Sequence, residues 1–431
     1  MPSSTSVSRR QFLKTSVAAS SVFAAPWIVP STCFGANDRV VVGSIGVRNQ
    51  GSGNLKRFQT AGCQIGAICD VDTDVQAEAL KLVNSGTPKL YGDYRRLLEQ
   101  QDLDAVVITT PDHWHALMTI HACEAGKDVY CEKPLSLTIA EGRRMVQAAR
   151  MHERVVQTGS QQRSSHLFRK ACELVRNGHI GDLHEVHCGI SGVNHPGQLG
   201  PNTDPPANLD YNMWLGPAPE RSYNEKRVHY NFRFWWDYSG GQMTNWGAHY
   251  LDIAQWGMGT DDTGPIAVEG TATFHPEGFH EVTETCRVTY TYANGVKVIA
   301  GQKQEDIPGG TTFIGSQGRV FVNRKELVTD PVDIAELSLD DAPIKLTASD
   351  DHTQNFLDAI RSREKPICDV EIGHRSATVC HLGNIVCRLG RSIQWDPKAE
   401  RIVDDEQAHA MTDRVYRAPW THDLTVKSSW S

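Results

Sequence analysis

The 431-residue chain lacks several features that would place it in a class at once. No apolar run reaches the ~18 residues that a membrane-spanning helix requires. Lysine and arginine (43) are outnumbered by aspartate and glutamate (51), for a net charge of −8. That balance supplies no basic face for a phosphate backbone, so nucleic acid is excluded as the main partner. The eleven cysteines include no Cys-x-x-Cys pair, and no internal repeat or low-complexity stretch is present. The 18 histidines show no ligand spacing diagnostic of zinc or manganese, so no metal is expected. What remains is a chain long enough for two domains of ordinary size, each with ample core.

Near the N-terminus, Ser8-Arg-Arg-Gln-Phe-Leu-Lys14 is a twin-arginine pattern, followed by a mild apolar stretch from Val17 to Val29. No clean Ala-x-Ala lies near Gly35, and the mature start is placed around Ala36–Asn37. Residues 1–36 are therefore expected to be a signal peptide read by the twin-arginine translocase, which delivers folded protein to the periplasm. Cys33 lacks the small residues that precede a lipid-anchored cysteine. Folding before export removes the need for disulfides. Cys63, Cys69, Cys123, Cys131, Cys188 and Cys286 interrupt apolar segments, as free core thiols would.

Residues 37–160 alternate strand and helix, the pattern of an α/β doubly wound parallel sheet. The strand Arg39–Ile45 runs into Gly46-Val-Arg-Asn-Gln-Gly51, a helix follows over 52–62, and the strand Gln64–Asp70 ends on an acidic residue. This frame predicts a dinucleotide site built from Gly46, Arg48, Gln50, Gly51 and Asp70. Arg48 stands where a glycine would let the backbone approach a pyrophosphate; its side chain either swings away or pairs with a phosphate. Asp70 would repel a 2′-phosphate, so NAD is favoured over NADP. Further on, Thr109 to Pro134 reads as a turn with Thr110 and Pro111, a helix, a strand from Asp128 to Cys131, and then Glu132-Lys133-Pro134. The helix carries Trp114, Leu117, Met118, Ala122 and Ala125 on what is expected to be its one buried face, with Gly126 as its stop. Helix 73–84, the segment 91–100, a capping box at Thr138–Glu141 opening helix 139–152, and a strand over 154–157 complete the domain.

Residues 161–390 read as an α+β domain with a large open, mainly antiparallel sheet. A helix from Ser165 to Asn177 leads to a strand over Leu183–Ile190, and a helix is expected over 247–257. Strands are expected over 266–275, 283–293, 296–303 and 311–323, with Asn294-Gly295 as a hairpin turn. Helices are expected over Thr347–Arg361 and His374–Leu389. Residues 391–431 look like a polar C-terminal tail, either an intersubunit arm or a frayed end. Between 211 and 256 lie Trp214, Trp235, Trp236, Trp246 and Trp256, interleaved with Tyr211, His229, Arg233 and Tyr238. Aromatic faces pack on the C–H faces of sugar rings while polar neighbours take hydroxyls. A sugar cleft contacted by His229, Arg233 and Trp236 is expected there.

The glycine turn, the acidic strand end, Ala125-Gly-Lys-Asp-Val129, Glu132-Lys133-Pro134 and Gly240-Gly241…Asn245-Trp-Gly-Ala-His249-Tyr-Leu-Asp252 together resemble the Gfo/Idh/MocA oxidoreductases over roughly residues 38–390. The resemblance implies NAD-dependent hydride transfer at a carbohydrate or polyol hydroxyl, and a homodimer or homotetramer. Lys133 would polarise the substrate oxygen, supported by Glu132. His249 would take the proton, oriented by Asp252 one helical turn on, and His113 would contact the nicotinamide or substrate. Asn245 departs from the family's more usual aspartate and cannot accept a proton, which leaves His249, Tyr250 or His229 to do so. Two other outcomes stay open: a glycosidase that transiently oxidises its sugar at C3, and a non-catalytic sugar sensor.

Overall fold

The computed structural model describes residues 39–193 and 197–421; the arginine pair Arg9-Arg10, its apolar stretch and Trp430 lie outside them. The first sheet is made by β1 (Val41–Ile45), β2 (Gln64–Cys69), β3 (Lys89–Tyr91), β4 (Ala105–Ile108), β5 (Asp128–Cys131) and β6 (Val156–Thr158). Between them run α1 (Gln50–Thr60), α2 (Thr73–Leu80), α3 (Tyr94–Leu98), α4 (Asp112–Glu124) and α5 (Ile139–Met151). The strands lie in the order β3-β2-β1-β4-β5-β6, all parallel. β4 is buried at every position, and its alternation explains why: Val106 and Ile108 pack with α4 and α5, Ala105 and Val107 with α1 on the other face. The strand order reverses between β1 and β4, which opens a crevice outside their carboxyl ends. Gly46, the Thr109–Pro111 turn and Glu132 all emerge there.

After α6 (His166–Arg176), the second sheet begins with β7 (Leu183–Ile190). A long excursion then carries α7 (Tyr211–Leu215), a 3-10 turn at His229–Phe234, α8 (Gly241–Asn245) and α9 (Gly247–Met258). β8 (Ala267–Phe274), β9 (Thr283–Thr291), β10 (Lys297–Gln302), β11 (Gly310–Gly315), β12 (Gly318–Val322) and β13 (Leu327–Asp330) come next. The chain returns as α10 (His352–Ser362), α11 (Val370–Leu389), β14 (Ile393–Asp396), β15 (Arg401–Val403) and α12 (Glu406–Ala410). Nine strands lie in the order β13-β12-β11-β7-β10-β9-β8-β14-β15, and β7–β10 is the one parallel pair among the described strands of this sheet. α6, α9 and α11 cover one face and close the larger core.

Several expected boundaries move, each for a local reason. The expected strand 311–323 is a hairpin, because Gly315 pairs with Gly318 around Ser316-Gln317. The helix expected from Thr347 starts at His352, where Asp351 caps Thr353 N and Gln354 N. The helix expected from His374 starts at Val370, capped by Asp369. α4 is buried around most of its circumference rather than on one face, and Ala125 is its exposed C-cap. Part of the reason is α7, where Trp214 O lies 3.0 Å from His113 Nε2 and accepts from Trp114 Nε1 at 3.1 Å; the rest lies in the tail, which is corrected most. β14 pairs with β8, and residues 413–420 run back along the first domain. There Trp420 meets Trp114 edge-to-face at 4.9 Å, and Arg414 donates to Glu141 Oε1 (2.7 Å) and His113 O (2.7 Å). All ten described cysteines are buried and unpaired, and burial pushes the Cys63 thiol up to about 12.

Candidate functional site

A cleft of about 800 Å3 opens at the strand-order reversal, with residues of the second domain as its far wall. On the near wall, Gly46 adopts φ +76°, and a Cβ there would lie 2.8 Å from Thr109 O. A Cβ on Gly51 would meet Gly46 O at 2.0 Å, so α1 can begin this close to β1 only with glycine. Gly51 itself is behind the surface. Gly46, Arg48, Gln50, Asp70, Thr110 and Pro111 all border the cleft. Asp70 is fixed by Val47 N on Oδ2 (2.9 Å) and Asp72 N on Oδ1 (3.1 Å), while burial raises its pKa. Arg48 swings aside to Asp72, with Nη2–Oδ2 at 2.6 Å. This frame fits a dinucleotide: a tight glycine turn, the N-terminus of α1 and a carboxylate at the end of β2.

Beyond β5, Glu132 Oε1 accepts from Gln50 Nε2 (3.0 Å), Asn54 Nδ2 (2.9 Å) and Gln161 Nε2 (3.1 Å). Three amides fix its carboxylate, so it braces the floor. Lys133 Nζ donates to Asn245 O (3.1 Å) and Asn245 Oδ1 (2.7 Å). Desolvation lowers the Lys133 pKa to about 8; Glu132 and Asp112 oppose that shift, and Arg233 and Arg324 add to it. Asn245 is held in turn by Nδ2 donating to Gln242 Oε1 (3.0 Å).

His249 also borders the cleft, but its electrostatics differ from expectation. Its Nε2 lies 3.1 Å from Arg324 Nη2 and so accepts, which leaves the proton on Nδ1. Burial, then Lys133 and Arg324, hold its pKa well below the usual value. Asp252 does not orient it. That carboxylate binds Arg163 Nε (2.9 Å) and Nη2 (2.9 Å) and takes a bond from Ser376 Oγ (2.7 Å). Arg163 is 1% exposed, and a buried guanidinium needs its counter-charge. Asp252 is thus a structural ion-pair partner.

Two further expectations are corrected. His113 is fully buried behind the wall, with Nε2 3.0 Å from Trp214 O, and burial holds its pKa at about 3. Trp236 lies outside the cleft, with the Arg388 guanidinium 4.9 Å over its ring. Trp235 packs with Trp214 and Tyr238 in a separate small core, and Trp256 lies under Arg163. Packing therefore accounts for much of the aromatic cluster; Trp214 and Trp246 do reach the cleft, as do His229 and Arg233. His229 stands toward the cofactor end, where Arg48 and Asp72 act on its charge.

The sequence reading missed Asp112, His115 and Arg324. Asp112 is 5% exposed, borders the cleft and accepts from Ser239 Oγ at 2.5 Å. Its signal was available, since it begins a helix at the end of a strand over the site. His115 has both ring nitrogens on carbonyl oxygens, Pro134 O at 2.8 Å and Thr110 O at 2.9 Å, an arrangement only an imidazolium satisfies twice. Burial opposes that charge, but Cys131, Asp112 and Pro134 O outweigh it and push the pKa to about 10. Arg324 sits in the turn between β12 and β13, where nothing in the local sequence marks it.

Known proteins agree with this architecture. Residues 39–160 match the description "Oxidoreductase family, NAD-binding Rossmann fold", and residues 196–422 match "Oxidoreductase family, C-terminal alpha/beta domain". The chain is 27% identical to a myo-inositol 2-dehydrogenase of Thermotoga maritima over 275 residues, 63% of this chain and 70% of that protein. It is 42% identical to a glycosyl hydrolase family 109 protein of Shewanella pealeana over 120 residues, only 26% of each chain. The fold is shared with the WlbA dehydrogenase of Bordetella pertussis, solved with NADH and UDP-GlcNAcA, at a TM-score of 0.61 and 20% identity over 83% of this chain and 99% of that one. With both family descriptions matched in order along one polypeptide, the chain belongs to the Gfo/Idh/MocA oxidoreductase family.

Proposed function

We propose that the protein is an exported enzyme that transfers hydride between a carbohydrate or polyol hydroxyl and a retained NAD. The observation that carries this reading is Lys133: desolvated just past the end of β5, with a pKa of about 8, and hydrogen-bonded twice to Asn245. NAD, when bound, supplies the hydride acceptor at its nicotinamide C4. Gly46, Arg48, Gln50, Asp70, Thr110 and Pro111 would hold it, and the Asp70 carboxylate disfavours a 2′-phosphate.

The proton falls to Lys133. As a free amine, Lys133 has two N–H bonds, and Asn245 O and Oδ1 accept both, which aims the lone pair elsewhere. Nζ then accepts the hydroxyl proton and, as an ammonium, hydrogen-bonds the carbonyl oxygen that forms; reduction runs the same steps in reverse. His249 is a poor base here, since its lone pair already faces Arg324. Its part is to position Arg324.

Retention is supported at the end of β2. Thr73 N donates to Asn208 O (2.9 Å), Asp210 N to Val71 O (2.9 Å), and Asn208 Nδ2 to Asp72 Oδ1 (2.8 Å). These bonds fasten the 199–238 excursion across the adenosine end of the predicted site. Such a clamp suits a folded protein exported by the twin-arginine translocase to a compartment poor in free nucleotide. Mass spectrometry of the purified, dialysed protein should find NAD. Dialysed protein with no nucleotide absorbance and no heat on titration with NAD would sink this reading.

A second reading, a glycosidase acting by C3 oxidation, elimination and re-reduction, is favoured by Asp112. Its buried carboxylate beside Lys133 is a second proton acceptor, which elimination next to a ketone needs. Release of free sugar with no lasting change in nicotinamide absorbance would select it.

A further inference from the structure

The charges around the cleft do not balance, and the surplus lies in one place. At the cofactor end, Arg48 pairs with Asp72, and Arg57, whose guanidinium donates to Asn54 Oδ1 at 2.8 Å, is offset in number by the Asp70 carboxylate. At the substrate end, Lys133 and the His115 imidazolium are matched by Asp112 and Glu132. Arg233 and Arg324 are left over. Neither guanidinium reaches a carboxylate among the described residues. Arg233 donates to Tyr230 O and lies 3.9 Å over the Tyr230 ring. Arg324 contacts His249 Nε2 at 3.1 Å and lies 4.9 Å over Trp246. With the Gln162 amide turned to donate to His249 O (3.0 Å), its oxygen accepts from Arg324 Nε at 3.2 Å. That leaves Nη1 and one Nη2 proton of Arg324 unused, and the same count leaves donors on Arg233.

Both arginines border the cleft, and their field reaches the proposed reacting group, because each lowers the Lys133 pKa. His249 registers the same excess through Lys133 and Arg324. Surplus cations are unusual in a chain of net charge −8. An oxidised nicotinamide would add another positive centre to this end of the cleft. Guanidinium groups stacked on aromatic rings, with donors to spare, form a receptor for a planar or tetrahedral oxyanion.

We propose that the substrate is an anionic sugar, a ring bearing a carboxylate or a phosphate ester close to the carbon that exchanges hydride, and that Arg324 and Arg233 receive that group. The inference rests on the oxidoreductase reading of the cleft and narrows its substrate class. It also gives the His249–Arg324 contact a purpose: the imidazole turns the guanidinium toward the ligand.

The test is calorimetric titration of the NAD-loaded protein with D-glucuronate, D-galacturonate, glucose 6-phosphate, D-glucose and myo-inositol at low ionic strength. At least one anionic sugar should bind tenfold or more tightly than glucose, with the preference shrinking as salt is added. Glucuronate and galacturonate against glucose 6-phosphate tell carboxylate from phosphate. Arg324→Gln and Arg233→Gln should each weaken the anion roughly ten- to a hundred-fold more than they weaken glucose. Equal affinity for glucose and all three anions in the native protein overturns the proposal, whether or not the variants fold. So does a variant that weakens glucose and the anions by the same factor. Nicotinamide absorbance, read in parallel, decides the oxidoreductase reading separately: neutral sugars that reduce it as well as the acids do would keep the enzyme and remove the anion.

Discussion

On the first-domain wall of the cleft, charged side chains meet their partners close by: Arg48 with Asp72, Glu132 with three amides, Asp70 with two backbone N–H groups. On the second-domain wall, Arg233 and Arg324 meet a carbonyl, a histidine, an amide and the faces of rings. Apart from Arg57, which reaches only Asn54 Oδ1, the first wall is satisfied before any ligand arrives, as suits a cofactor held largely by backbone and shape. The second keeps donors in reserve. Lys133 joins the two, rooted in the first domain and hydrogen-bonded to the second through Asn245. The contrast makes the cleft a preformed seat on one side and a charge-selective receptor on the other.

The sharpest way to break this comparison is to remove the residue that spans it. Lys133→Met keeps the stem and deletes the amine, so the rate of nicotinamide reduction should fall by about 10²–10⁴-fold, while NAD affinity stays nearly unchanged. Rapid-mixing absorbance and NAD calorimetry on the same sample check both halves. A Lys133→Met variant that still turns over at a tenth of the native rate would return the proton to His249 or Asp112.

A smaller effect is expected at Asp252, which was expected to orient His249 and instead pairs with Arg163. Asp252→Ala strips a fully buried guanidinium of one of its two carboxylates, since Asp261 still reaches Arg163 Nη2 at 2.7 Å. Unfolding free energy should drop by about 3 kcal/mol, the low end of the range for a broken buried pair. The pH dependence of the folded enzyme should not move. A changed pH profile with unchanged melting would instead restore Asp252 as the partner of His249.

That error shows what kind of information the sequence carries. The first domain was readable because its determinants are local: β-branched runs at Val41–Ile45 and Ala105–Ile108, a glycine turn, an acidic strand end, and Glu132-Lys133 directly after β5. Arg163 lies 89 residues before Asp252, and only the three-dimensional path shows that it claims the carboxylate. Arg324 sits in an Asn-Arg-Lys-Glu turn that looks like any solvated hairpin, yet the order of the second sheet brings it over His249. His113 looked like a ligand because it follows the Thr110-Pro111 turn; the neighbouring Asp112 faces the cleft in its place. The polar tail was opaque for a related reason. β14 and β15 are four and three residues long, and the pairing of β14 with β8, more than a hundred residues earlier, leaves no periodicity to read.

The smallest change sharpens the comparison most, because it adds one charge at the point where the walls meet. Asn245→Asp would place a carboxylate at the position now held by Oδ1, 2.7 Å from Lys133 Nζ. An opposite charge at that distance favours the ammonium and should raise the Lys133 pKa from its present value of about 8 by about 1–3 units. Because oxidation of the alcohol needs the free amine, the native rate should climb with pH through about 8, and the variant's inflection should move upward by the same shift. At neutral pH that costs roughly tenfold per unit. The substitution also sets an acceptor against Gln242 Oε1, where Asn245 Nδ2 now donates at 3.0 Å, so a modest loss of stability should accompany it. A single inflection displaced upward would mark Lys133 as the proton acceptor in both proteins. A new limb at acidic pH would mean that the introduced carboxylate has taken over the proton, and that Asn245 separates this enzyme from relatives that keep an aspartate there.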